Sequence, residues 1–331
     1  MFNYAPSTKS STKQKAETMT TKKTERPSLA DQELFANVLL YGEPKSGKTT
    51  AAAAAARLGR VCYIDAEAGL KKGPLSSFGI PITNIEPYSD ITIDALDALF
   101  WELQEDVPVS LVWDSVSESH KKLLEATARR SRDKALAAGK EREAYTTELG
   151  DYGTNTAEMR HLLRQFRDLP CHTVFVALEK RTQDENTGKV KYGPDLTDKL
   201  ASDLLGYVDV IGHTYTVSVE GEEEPQYWAE FRNKGVYVGG DRFHALPPRL
   251  INPSLDRVVK YLQWEMDVDS DPEMQEAMAK AKPEKGRRVA AGASAPDDAE
   301  SPEEDKGKAT EGQPVVATGP KRPPRRVAVP Q

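Results

Sequence analysis

Short apolar runs alternate with longer amphipathic ones over most of the chain. Runs of strand length occur at "NVLLY" (37–41), "VCYI" (61–64), "VSLVW" (109–113), "HTVFVAL" (172–178) and "YVDVIGHTYTV" (207–217). Between them lie segments of helical period: "TTAAAAAARLG", "TIDALDALFWELQ", the charged "SVSESHKKLLEATARRSRDKALAAGKERE" and "TAEMRHLLRQFRDL". Such alternation predicts an α/β fold of parallel strands joined by crossover helices, and continuous apolar runs fit strands buried on both faces. After Tyr207 two amphipathic strands flank the acidic turn "EGEEEP", which predicts an antiparallel hairpin at one edge of the sheet. A last helix is expected in "PSLDRVVKYLQW" (253–264), with Ser254 as its cap.

Composition confines this pattern to the middle of the chain. Residues 1–28 are Ser, Thr and Lys with almost no aliphatic residue after Ala5, too little apolar surface to offset chain entropy, so a disordered arm is expected. From 267 to 331 the chain turns to Pro, Ala, Gly, Glu and Lys and ends in "GPKRPPRRVAVPQ", which reads as a disordered charged tail with a basic tip. Residues 29–266 suffice for one domain. The net charge of −7 gives no overall field that would coat the chain onto duplex DNA, so a nucleic-acid site has to be local. Cys62 and Cys171 sit in or beside apolar runs without metal-ligand spacing and read as buried thiols. With no secretory apolar region and no stretch able to span a bilayer, a soluble cytoplasmic protein without a membrane partner is expected.

The chemistry begins at Gly42-Glu43-Pro44-Lys45-Ser46-Gly47-Lys48-Thr49, followed by Thr50 and a run of alanines. This fits G-x-x-x-x-G-K-[ST] between a strand and a helix, the context in which the pattern cradles phosphates. Gly42 and Gly47 are expected to take backbone angles closed to other residues, so that amides turn inward at a helix N-terminus. Lys48 would reach the β- and γ-phosphates, and the Thr49 hydroxyl would ligate Mg²⁺. The alternative is a chance turn before an alanine helix.

Acids at other strand ends decide what a bound nucleotide is for. Asp114, after "VSLVW", should emerge at the sheet edge that carries Thr49 and hold the magnesium; it could instead cap the helix beginning near Val116. Asp65 and Glu67 follow the second strand, and Glu67 is the candidate base for the attacking water, with Asp65 a structural partner or the two in reversed roles. Glu179, Lys180 and Arg181 end "TVFVAL", where they could sense the γ-phosphate or simply be exposed.

At these residues the sequence resembles the RecA-like recombinase ATPases, especially their short phage-encoded relatives implicated in single-strand annealing and recombination. "GEPKSGKTT" is similar to the family's Walker A, "YIDAEAGL" to the segment with the catalytic glutamate, "LVWDSVSES" to its Walker B, and "SSFGIPITNIEPYSD" to the run that follows the glutamate. The resemblance implies an ATPase core using ATP and Mg²⁺, with Lys48 and Thr49 on phosphate and magnesium, Glu67 as base and Asp114 as the magnesium aspartate. It also implies a polar residue, often Gln, where Glu179 stands; an anion beside a phosphate is unfavourable unless paired, which passes the sensing role to Lys180 or Arg181. "EFRNKGV" resembles a block whose cations reach a neighbouring subunit's nucleotide, which puts Arg232 and Lys234 in catalysis across a homo-oligomer, ring or filament. The other reading of that block is an exposed edge strand with a turn.

In that family two loops hold single-stranded DNA. The candidates here are the segment between Lys121 and Gly153, with Arg129, Arg130, Arg132 and Lys134, and the loop from Glu179 to Leu196, with Lys189, Lys191 and Tyr192 beside Asp184, Glu185 and Asp195. "MFNYAP" contains Phe2-x-x-Ala5, the spacing of a short tether between protomers. The leading expectation is therefore a DNA-stimulated recombinase or annealing ATPase, in the bacterial host cytoplasm if phage-encoded. The alternatives are a P-loop phosphotransferase with Arg129–Arg142 as a basic lid, and a nucleotide-gated adaptor that binds a single-strand binding or replication protein through its tail.

Overall fold

The computed structural model describes residue 28 and residues 33–143, 146–183, 188–219 and 224–280. Phe2 and Ala5, the middle of the acidic turn, Asp184, Glu185 and the chain beyond 280 lie outside the described residues. A mixed sheet orders β10 (Arg249–Ile251), β8 (Gln226–Glu230), β7 (Val210–Val217), β1 (Asn37–Gly42), β5 (His172–Gln183), β4 (Ser110–Asp114), β2 (Val61–Asp65) and β3 (Ile85–Tyr88), with β6 (Val190–Pro194) on β5 and β9 (Gly240–Asp241) on β7. Every pair from β3 across to β7 is parallel, whereas β8, β10, β6 and β9 pair antiparallel. The expected α/β sheet and the antiparallel strands after Tyr207 are thus both present. β5 stands between β1 and β4, so the strands ending at Gly42 and Asp114 are next-but-one neighbours.

Both faces of the sheet are covered. On one, α1 (Lys48–Ala53) and a 3₁₀ turn over Ala54–Arg57 carry Ala51 to Ala56, each at most 2 % exposed, against α7 (Leu255–Leu262), and α2 (Lys72–Ser77) adds Leu75 to the same core. Alanine serves here because a side chain of one carbon lets Val258, Val259 and Leu262 of α7 approach closely, and larger groups would overpack the seam. On the other face, α3 (Ile93–Glu105), α4 (Val116–Ala137), α5 (Leu149–Arg167) and α6 (Asp198–Tyr207) bury Leu96, Leu123, Phe166 and Leu200. Trp113 of β4 meets the Phe166 ring edge-on at 5.4 Å and donates its indole N–H to Ser119 Oγ at 2.7 Å, so its polar atom is satisfied inside the core. Cys62 and Cys171 are buried free thiols, as expected.

Several boundaries differ from the sequence expectation. The Glu179–Leu196 segment is not a loop: β5 runs on to Gln183 and pairs with β6 as a hairpin, whose polar residues on both faces leave no apolar alternation to read. Most of the segment from Lys121 to Gly153 is helix, as α4 and the start of α5. β3 carries Pro87 and little apolar surface, tolerable because it is the last strand of the sheet. Helical structure also continues past the expected boundary at Met266. Asp271 is fully buried and accepts from Arg257 Nη2 at 2.6 Å and Tyr261 OH at 2.8 Å, which anchors α8 (Pro272–Lys280) to α7. Ser254 does occupy the N-cap of α7, though its hydroxyl receives no amide. Among the described residues no helix is long and apolar enough to cross a membrane.

Candidate nucleotide site

The phosphate-loop residues gather at the carboxyl edge of β1. Gly47 is the N-cap of α1 with φ +84°, a conformation a side chain disfavours, and the Tyr227 ring lies 2.9 Å from where its Cβ would stand. Gly42 needs glycine for a different reason from the one expected. Its φ is ordinary, but an added Cβ would stand 2.1 Å from the Thr214 carbonyl oxygen of β7. Close approach of two backbones, not a special angle, excludes a side chain there.

Lys48 is buried, and its Nζ donates to Gly42 O at 2.9 Å and Glu43 O at 2.6 Å, with Ser46 Oγ at 3.4 Å. Burial lowers its pKa, opposed by the fields of Asp114, Glu67, Glu179 and Glu43. Ser46, 2 % exposed, pairs its Oγ with Thr214 Oγ1 at 2.7 Å, and Thr214 Oγ1 also donates to Tyr41 O at 3.2 Å. The loop is therefore fixed from β7 as well as from β1.

Thr49 Oγ1 donates to Asp114 Oδ2 at 2.7 Å, and Tyr63 OH donates to the same oxygen at 2.7 Å. Burial raises the Asp114 carboxyl above its usual range while those two hydrogen bonds work against the rise. The capping role open to Asp114 belongs to its neighbour: Ser115 is the N-cap of α4 and accepts from Glu118 N at 3.1 Å. The peptide joining Asp114 and Ser115 is cis. Ser115 Oγ in turn donates to Glu67 Oε1 at 2.5 Å. Asp65 uses both oxygens on its own turn, accepting from Gly69 N at 2.8 Å and Leu70 N at 3.2 Å. Pro44, Lys45, Gly47, Lys48, Thr49, Thr50, Glu67 and Asp114 line one cleft of about 820 Å³, so the structure brings the loop and both acids together.

The remaining candidates stand apart from that cleft. Glu179, the residue after the cleft-lining Leu178, is paired: its Oε2 lies 2.6 Å from His213 Nε2, with both side chains less than a tenth exposed. Lys180 lies 3.4 Å from Asp198, and Arg181 is exposed on the hairpin. Register puts Lys180, Thr182 and Lys191 on one face of that hairpin and Arg181 with Tyr192 on the other; Lys189 shares the alternation of Lys191. Arg232 donates to Leu246 O at 2.9 Å, and Lys234 Nζ lies 2.5 Å from Oε2 of the buried Glu230. Neither of these two lines the cleft. Two of the cations proposed for a lid are engaged on α5 instead, Arg130 with Glu158 at 2.7 Å and Arg142 with Asp151. Sequence reasoning gave no role to Thr214, Tyr63, Ser115 and His213: Tyr63 and Ser115 lie inside the blocks "YIDAEAGL" and "LVWDSVSES" beside the acids that drew attention, and Thr214 and His213 stand in a strand without a motif.

A β-strand, glycine loop and helix, with a buried acid hydrogen-bonded to the loop threonine, define an α/β P-loop NTPase. An AAA domain family model matches residues 35–243, well over half of the chain, and the chain belongs to that family. Membership makes it a nucleotide-binding ATPase of the P-loop type. It carries the ATPase part of the sequence expectation and not the recombinase part. No curated protein matches the chain.

Proposed function

We propose that this chain is a magnesium-dependent, single-stranded-DNA-binding ATPase of phage recombination or annealing type, hydrolysing ATP at the subunit interfaces of a homo-oligomer. The observation that carries the ATPase reading is the 2.7 Å bond between Thr49 and Asp114 in the cleft that Glu67 also lines. The donor set fits a nucleotide with its cation: a buried ammonium held over the loop, and a hydroxyl and a carboxylate side by side. Lys48 and the loop amides would hold the phosphates, and Thr49 and Asp114 the magnesium, which supplies charge that offsets the negative phosphate oxygens. Ser115 orients Glu67 through Oε1, which leaves Oε2 to take a proton from the attacking water.

The DNA part of the reading is supported by Lys180 and Lys191 on one face of the hairpin, with Lys189 in the same alternation, cations of the kind that meet a phosphate backbone. Arg232 and Lys234 lie outside their own cleft, and to serve a neighbouring copy's site Arg232 would leave Leu246 O and Lys234 would leave Glu230. The test is ATPase rate with and without single-stranded DNA for wild type, Lys48→Ala and Glu67→Gln. Stimulation of the wild type, loss of nucleotide-dependent function in Lys48→Ala, and ATP binding with slow turnover in Glu67→Gln are expected. If single-stranded DNA at low salt neither binds nor alters hydrolysis, the recombination reading is lost.

A further inference from the structure

The loop between β8 and β9, residues 231–239, carries Arg232 and Lys234 and is fastened on two sides. On the hairpin side, Tyr192 N donates to Val236 O at 2.7 Å, and Tyr192 and Tyr237 form a parallel β-bridge. Their rings stack as well, at 4.8 Å between centroids and 24° between planes. On the phosphate-loop side, Tyr41, the residue before Gly42, donates its hydroxyl to Val238 O at 2.7 Å and accepts from Val238 N at 2.9 Å. Between these anchors the Tyr237 ring stacks on His213 at 4.1 Å and 21°, and His213 is the partner of Glu179 at the root of the hairpin. Burial first, then the fields of Glu179, Tyr192 and Glu43, raise the Tyr237 phenol pKa, in keeping with a ring lodged between hairpin root and phosphate loop.

We propose that Tyr237 is a positioning residue that ties the place of Arg232 and Lys234 to that of the β5–β6 hairpin, so that DNA held on the hairpin sets the cation loop for hydrolysis. The inference rests on the DNA and inter-subunit readings proposed above and names the route between them. Its basis is steric. Stacked faces resist separation and tilting, and the β-bridge forbids independent movement of residues 192 and 237, so a displacement of the hairpin displaces the loop two to five residues from its cations. The only hydroxyl contacts that fix this loop to β1 come from Tyr41, which leaves the Tyr237 ring, not its OH, as the coupling element among the contacts described.

The experiment compares wild type, Tyr237→Phe and Tyr237→Leu in ATPase rate with and without an oligothymidine strand, and in affinity for that strand by fluorescence anisotropy. Tyr237→Leu should keep its DNA-free rate within about twofold and its DNA affinity within about threefold, while stimulation by DNA falls by about three- to tenfold. Tyr237→Phe keeps the stack and should respond as wild type does. Stimulation of Tyr237→Leu equal to wild type overturns the inference, as does loss of DNA affinity together with stimulation, which would make the ring part of the DNA site or of the hairpin's fold. A wild type that binds DNA without stimulation, or does not bind it, overturns the proposed function itself. Backbone hydrogen exchange on the unaltered protein gives a check without substitution: added DNA should change exchange in residues 232–239 along with the hairpin, and a change confined to the hairpin overturns the inference.

Discussion

The cleft and the hairpin lie at opposite ends of the same segment of β5, and they are built on different physics. In the cleft, Lys48, Thr49, Asp114 and Glu67 are each held by a hydrogen bond of 2.9 Å or shorter; Lys48 and Asp114 are buried, Thr49 is half-buried and Glu67 is exposed. On the hairpin, Lys180, Lys189 and Lys191 are exposed or half-exposed, and order comes from ring stacking and register. A buried polar group left without its partner loses its full hydration, whereas an exposed cation is cushioned by solvent. Substitutions should therefore act nearly all-or-none at the buried Lys48 and Asp114, through lost chemistry at the exposed Glu67, and in graded steps on the hairpin.

The sharpest break with that contrast would come from Glu67→Gln. It should lower ATP hydrolysis by about 10²- to 10⁴-fold with ATP affinity within a few-fold of wild type, read by steady-state rate and fluorescent-nucleotide titration. Unchanged turnover would remove Glu67 as the base. Next in size, alanine at Lys180, Lys189 and Lys191 together should weaken single-strand binding by about ten- to a hundredfold and flatten the slope of log affinity against log salt by about 2, while nucleotide affinity stays level. A nucleotide affinity that fell in step would show cleft and hairpin to be one site.

Thr214→Val sharpens the cleft side, because it strips the partner from Ser46 Oγ inside the phosphate loop. Nucleotide affinity should drop about tenfold, the size of one unsatisfied buried hydroxyl, and Thr214→Ser should restore it. The smallest effect concerns the core that both regions share. Burial pushes the Cys62 thiol up to about 12 and the Cys171 thiol up to about 11, against 9.0 unperturbed. The folded state thus keeps these protons where the unfolded chain would release them. The stability they confer is present below pH 9 and declines as pH rises towards the folded values of about 11 and 12, by about 1 kcal/mol for each thiol between pH 9 and 10. Denaturant midpoints at pH 8 and 10 should show the decline, and Cys62→Ala should lessen it; identical slopes in both proteins would assign the alkaline loss to other groups.

The same contrast explains what could be read from sequence. Lys48 and Thr49 lie within one local pattern, and Asp114 and Glu67 each follow an apolar strand whose end is legible by itself. Parallel pairing then carries those ends to a common edge without any pairwise information. Thr214 and His213 give no such signal, since they matter only because β7 lies beside β1, a neighbour some 170 residues away in the chain. Glu179 was legible as an anomaly and not as a solution, because its partner sits on that distant strand. The hairpin escaped because half-exposed strands with charges on both faces lack the alternation that burial imposes. α8 escaped because it brings only Met274 and Ala277 to the core, and its polar tie is a single buried aspartate, Asp271.

β5 has one more consequence, a mechanical one. Its backbone is bonded to β4 from His172 to Val176 and to β1 as far as Leu178, and beyond that point its strand partner among the described residues is β6. It is a beam clamped along its base and propped farther out, where Tyr192 of β6 is bridged to Tyr237. Such a beam turns about its last clamped residue, and here that residue is Leu178, which forms part of the cleft wall. A load on Lys191 is therefore shared between the Tyr237 prop and the wall of the nucleotide cleft.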